Sequence, residues 1–211
     1  MFLKAKSNSD DITTWLTFGT DFTVTSVADL VSNVAAVCEP RMLQELVLYA
    51  HGVGGAFSVG PDRFGGISTP RDAEATLSRL VPSQRFFGGS VGRPRLILCV
   101  CDAGKNPANL LEVAKAIMQP VFACTSSVRP TLGVGYGWWD GDIVMADPFS
   151  LTVGTVDRIP EPPQILSLAC GNPQAVVEIF AYCQSEPRRV CRRAKLSENC
   201  PLWNRHQRRR P

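Results

Sequence analysis

The chain has 211 residues, 45 % hydrophobic and 19 % charged, with a formal net charge of +3. That size and balance suit one α/β domain with its own core and exclude a disordered chain. No apolar run approaches the roughly 18 residues of a membrane span. Met1-Phe2-Leu3-Lys4-Ala5-Lys6 and the residues up to Asp11 lack the apolar stretch of a signal peptide.

The charge is unevenly placed. Residues 185–211 hold nine of the 22 Lys and Arg and two of the 19 Asp and Glu, so this tail is +7 and the remainder −4. Arg188-Arg189, Arg192-Arg193 and Arg208-Arg209-Arg210 predict a solvated tail, with an acidic partner, nucleic acid or a membrane surface as the other readings. The body does not read as a nucleic-acid binder. The expected division is a domain over 1–184 and a basic tail over 185–211.

Thr14–Phe18 and Phe22–Thr25 read as β, rich in branched and aromatic residues. Ser26 then caps a helix, with Val27, Leu30, Val31, Val34 and Val37 at helical spacing. Residues 46–50 form a continuous apolar strand, as in a sheet covered on both faces. Residues 52–68 read as a Gly-rich loop. Thr69 and Pro70 open the next helix, whose apolar face is Ala73, Leu77, Leu80 and Val81. Strand 95–100 follows. A helix opens at Asn106-Pro107 and carries Leu110, Leu111, Ala114, Ile117 and Met118. Pro120–Cys124 is a further short strand. The alternation predicts a mostly parallel sheet with helices on both faces. Gly133–Asp142 then reads as a loop or twisted hairpin. Leu151–Val156 is a candidate strand, and Pro173–Cys183 a candidate helix beyond a Pro-rich stretch.

Two strand ends carry chemistry. Glu45–Ala50 runs into His51-Gly52, and Arg95–Val100 into Cys101-Asp102-Ala103-Gly104. On neighbouring parallel strands these deliver an imidazole and a thiol to one edge, as a thiol nucleophile and its proton-transfer partner require. Ligands of open α/β sheets also collect at the carboxyl ends of strands. His206, in the tail, is the other histidine. Taken singly, His51 reads equally as a strand-end residue beside a turn, and Cys101 as packing. The helix opening at Asn106 favours a thiolate at Cys101 and the Asp102 carboxylate opposes it; the sequence leaves that balance open.

Tyr49-Ala50-His51-Gly52 and Leu98-Cys99-Val100-Cys101-Asp102-Ala103-Gly104, 50 residues apart from His51 to Cys101, resemble the caspase-like cysteine peptidase superfamily. That group includes caspases, gingipains, separase and the autoprocessing domains of large bacterial toxins. The pattern also resembles peptidase-like domains of bacterial polymorphic toxins, with Pro120–Ala123 and Gly133–Trp139 as the matching later parts. The resemblance covers residues 45–142. It implies a three-layer α/β sandwich, Cys101 as nucleophile, His51 as the proton donor to the leaving amine, and backbone N–H groups of Gly52 and Cys101 around the oxyanion. The Gln-Ala-Cys-x-Gly string of caspases is absent, so their Asp-directed specificity is not carried over.

Asp102, Trp138, Trp139, Asp140 and Asp142 are the candidate substrate-binding residues: exposed aromatics grip a peptide and a carboxylate receives a basic side chain. Packing of the sheet edge is the other reading of the tryptophans. Gly88-Gly89-Ser90-Val91-Gly92 matches a serine-hydrolase elbow, but Ser90 precedes a strand instead of following one. Cys183, Cys191, Cys200 and His206 lack the close-paired spacing of zinc sites. No C-x-x-C pair exists among the eight cysteines, and reduced thiols are expected. The expectation is a cysteine endopeptidase with no cofactor or metal. Its setting would be a bacterial toxin or effector, made in the cytoplasm and delivered to target cells by a non-Sec route. Expected partners are a protein or peptide substrate and a neutralising immunity or chaperone protein. Nucleic acid and a membrane span are not expected. The alternative is a catalytically inert module of the same fold whose basic tail docks an acidic partner.

Overall fold

The computed structural model describes residues 1–8, 20–66, 69–88, 93–129 and 138–159. Strand β1 (Phe2–Ser7) pairs in parallel with both β2 (Phe22–Val24) and β3 (Glu45–Val53). Helix α1 (Val27–Val37) joins β2 to β3. A hairpin of β4 (Ala56–Val59) and β5 (Asp62–Phe64) and then α2 (Pro70–Leu80) lead to β6 (Arg95–Val100). Helix α3 (Pro107–Ile117) leads to β7 (Val121–Cys124). A small pair, β8 (Val128–Arg129) and β9 (Trp138–Trp139), precedes the antiparallel β10 (Ile143–Asp147) and β11 (Thr152–Val156). The main path of the sheet runs β11-β10-β7-β6-β3-β1-β2.

Each helix starts where the sequence puts a cap. Ser26 Oγ accepts from the Asp29 N–H at 3.1 Å, Thr69 Oγ1 from Asp72 at 3.3 Å and Asn106 Oδ1 from Asn109 at 3.1 Å. Such a bond satisfies one of the donors a helix start leaves open, worth about 1 kcal/mol. The crossovers β2 to β3, β3 to β6 and β6 to β7 all step the same way along the sheet. Right-handed connections that step the same way fall on the same face. Accordingly Val27, Leu30 and Val34 of α1, Leu80 of α2 and Leu110, Val113 and Ile117 of α3 share one core. They pack there with Leu46, Leu48, Leu96, Leu98 and Val100. The opposite face buries Val47, Tyr49, Ile97, Cys99 and Phe122 under Ile159.

The fold is therefore α/β, with corrections to the sequence expectation. The sheet is mixed, because β10 and β11 add antiparallel strands beyond β7 and the β4–β5 hairpin adds antiparallel pairs at β3. The three described α-helices pack on one face of the sheet. Residues 56–64 of the expected loop form the β4–β5 hairpin, with Phe57 and Phe64 stacked at 4.4 Å between ring centroids. Val37, the last residue of α1, and Val81 and Met118, one residue past α2 and α3, were given apolar-face positions by spacing and are exposed. Thr76 and Val113 are buried in their stead. No helix among the described residues is long and apolar enough to cross a membrane. The candidate strand 14–18, the candidate helix 173–183, Ser90, the 184/185 boundary and the basic tail lie outside the described residues.

Candidate active site

The site is built by strand register. Glu45 to Ala50 of β3 lie opposite Arg95 to Val100 of β6, so the last pair is Ala50 with Val100. His51 and Cys101 are the next residues on the two chains. Neighbouring strands lie about 4.8 Å apart, so the two backbones leave the sheet side by side. Alternation along each strand puts both residues on the face that buries Tyr49 and Cys99. His51 is exposed and Cys101 half-buried.

Gly52 explains the His-Gly pair. It has no Cβ, and one placed there would lie 2.3 Å from the Cys101 carbonyl oxygen and 2.4 Å from Val100 Cγ1. The imidazole strand comes this close to the thiol strand because that position holds glycine.

The Cys101 sulfur accepts the Val128 N–H at 3.4 Å. Among the four described cysteines it alone is partly open to solvent; Cys38, Cys99 and Cys124 are buried. Burial pushes the thiols of those three upward, which keeps them protonated and unreactive. Cys124 also donates to the Ser126 carbonyl at 2.9 Å.

Asp102 stands in the turn that follows β6. Its backbone is left-handed, with φ of 61°. One carboxylate oxygen accepts the Gly54 N–H at 3.1 Å and the other pairs with Lys105 at 2.9 Å. Lys105 and then the Gly54 amide hold the carboxyl below the usual carboxylate range. The Asp102 N–H donates to the Ser126 carbonyl at 2.8 Å. Asp102 thus ties together the turns that follow β3, β6 and β7.

Trp138 and Trp139 form β9, whose backbone pairs with β8: Val128 lies opposite Trp139 and Arg129 opposite Trp138. Because Val128 is the residue on the Cys101 sulfur, β9 is one strand away from the thiol. Asp140 donates its N–H to the Ser127 carbonyl at 3.1 Å, and Asp142 donates its own to Thr125 Oγ1 at 3.0 Å. Both aspartates are exposed. The segment 125–128, which links these candidates to Cys101, escaped the sequence reading. Its signal was Thr125-Ser126-Ser127, a polar run ending the third parallel strand in the row. Lys105, three residues after Asp102, was the other missed partner.

Among the described residues no cluster of His, Cys, Asp and Glu suits a metal ion; Cys183, Cys191, Cys200 and His206, weighed for zinc, lie outside them. No protein-family model, curated protein or solved structure matches this chain.

Proposed function

We propose that the protein is a cysteine endopeptidase of the caspase-like type, working through Cys101 and His51. The observation that carries the reading is the Ala50–Val100 pair, beyond which an imidazole and the accessible thiol follow on adjacent parallel strands. In the proposed reaction the Cys101 thiol gives its proton to His51, its sulfur bonds to the scissile carbonyl carbon, and the carbonyl π electron pair moves onto oxygen. The N–H groups of Gly52 and Cys101 face that oxyanion. The C–N bond then breaks as His51 gives its proton to the leaving amine. Water, losing a proton to His51, adds to the thioester carbon; the C–S bond then breaks and His51 returns that proton to the Cys101 sulfur. An extended substrate would cross the Trp138–Asp142 segment. We place the enzyme among delivered bacterial effectors, with a proteinaceous target and a neutralising partner protein; the strand-end resemblance supports this setting.

The test compares wild type with Cys101→Ala and His51→Ala after brief expression, counting new protein N-termini across the host proteome. New N-termini that vanish in both folded variants are expected, a loss of at least about 10³-fold for such dyads. An unchanged set in both would favour the inert docking module.

A further inference from the structure

A half-buried carboxylate at a strand end has two obvious roles: receiving a substrate or holding the site together. The contacts of Asp102 decide for the second. Both of its oxygens are occupied, one by the Gly54 N–H and one by Lys105. Its own N–H reaches the Ser126 carbonyl, and its carbonyl accepts the Lys105 N–H at 2.9 Å. Gly54 lies three residues beyond His51, and Asp102 directly follows Cys101. The Asp102–Gly54 bond therefore closes a short bridge between the two strand ends, past the last ladder pair at Ala50 and Val100.

The surroundings of that bridge are tight. A Cβ on Gly55 would lie 2.6 Å from Asn106 Cβ, and Asn109 Nδ2 donates to the Gly55 carbonyl at 3.3 Å. The turn after His51 is thus seated on the start of α3, with Asp102 as its charged clasp. Gly54 and Gly55 both have positive φ, 58° and 86°, a conformation open to glycine and costly elsewhere.

We propose that Asp102 is a positioning residue: by accepting the Gly54 N–H it fixes the His51 imidazole beside the Cys101 sulfur. This rests on the dyad reading above. Asp102 does not touch the substrate, and its effect on Cys101 passes through the placement of His51. The hydrogen-bond acceptor is the feature that matters, and the ion pair with Lys105 supports it. A surface pair of that kind contributes little by itself.

The experiment is alkylation of Cys101 by iodoacetamide in the full chain at pH 7, followed by peptide mass spectrometry. A double-mutant cycle isolates the coupling between two residues from their separate effects. The rate ratio of wild type to His51→Ala measures how much His51 activates Cys101, and about tenfold or more is expected for a paired dyad. Asp102→Gly removes the carboxylate and relaxes the left-handed backbone. In that background the His51→Ala ratio should fall to about one. Asp102→Asn retains an acceptor oxygen and tolerates positive φ, so it should keep the ratio within about threefold of wild type.

A role in stability alone would lower the melting temperature and leave the ratio intact. Equal labelling of wild type and His51→Ala would overturn the dyad itself. A clear wild-type ratio that persists in Asp102→Gly would overturn the positioning role and leave the dyad standing. If Asp102→Gly does not fold, Asp102→Asn decides, because a ratio near one in a folded Asn variant contradicts the acceptor's role.

Discussion

Gly52→Ala is the sharpest probe of the strand-end geometry. The added methyl would sit 2.3 Å from the Cys101 carbonyl oxygen, 2.4 Å from Val100 Cγ1 and 3.1 Å from the Ala56 carbonyl oxygen. Ordinary carbon contacts begin near 3.5 Å, so β3 and β6 must part by about 1 Å at this point. Val100 gives no relief: it is fully buried and its branched side chain is stiff. Overpacking of this kind costs about 1–3 kcal/mol, which for a domain of this size lowers the melting temperature by about 2–12 °C. A displacement of about 1 Å between reacting groups costs about 10²-fold in rate. Urea unfolding gives the first quantity and Cys101 alkylation relative to His51→Ala the second. Gly154→Ala, with nothing within 4 Å of its added methyl, is the control and should change stability by less than about 1 kcal/mol. A Gly52→Ala protein with unchanged unfolding midpoint and unchanged His51-dependent labelling would refute the close approach of the two strands.

Arg95→Met should lower unfolding free energy by about 3–5 kcal/mol, because it removes the guanidinium now held 2.8 Å from the buried Glu45 carboxylate. Glu45→Leu combined with Arg95→Met should cost less than Arg95→Met alone, and a double variant that costs more would contradict this account. Stability should also fall at alkaline pH. Burial raises the Cys38, Cys99 and Cys124 thiols, whereas unfolded thiols ionise near about pH 8.5. The unfolded chain then holds fewer protons, so their contribution is full below about pH 8.5 and is lost as the pH climbs towards the folded values. Melting temperatures at pH 7.5, 9 and 10 should descend in that order; a flat series in a Cys101→Ala background, free of the accessible thiol, would count against it. At the acid end Asp102 and Asp147, lowered by Lys105 and Arg93 respectively, favour the fold above about pH 4, and that contribution is lost as the pH falls through their folded values.

The central parallel strands were legible because both of their faces are buried. Leu46–Ala50 and Leu96–Val100 read as unbroken apolar runs, and the caps Ser26, Thr69 and Asn106 marked helix starts by local chemistry alone. Strand β1 was hidden by Lys4 and Lys6, although Leu3 and Ala5 alternate with them onto the core face. The β4–β5 hairpin was hidden by glycine. Its pattern, Phe57 and Val59 inward, then a Gly60-Pro61 turn, then Phe64 inward, takes only nine residues, 56 to 64. The direction of β10 was beyond reach, because antiparallel pairing with β7 is a property of the assembled sheet. At the site, His51, Cys101 and Gly52 could be read as strand ends. The Asp102–Gly54 bond could not, since Gly54 is 48 residues away and contributes only an amide.

The reversal at β10 reaches further than the shape of one sheet margin. Parallel strands bring only their carboxyl ends to the His51–Cys101 border, so a sheet built of them alone would offer a single tier of turns there. An antiparallel strand begins where its neighbours finish: Ile143 opens β10 opposite Cys124, which closes β7. The polypeptide entering β10 must therefore descend past that border, which is how residues 138–142 come to lie against 125–128. The turn from β10 to β11, with Phe149 and Leu151 exposed, is correspondingly sent to the far rim. An affinity tag or reporter spliced between Phe149 and Leu151 would thus sit a whole strand length from the sulfur, a convenient handle that leaves the proposed site clear.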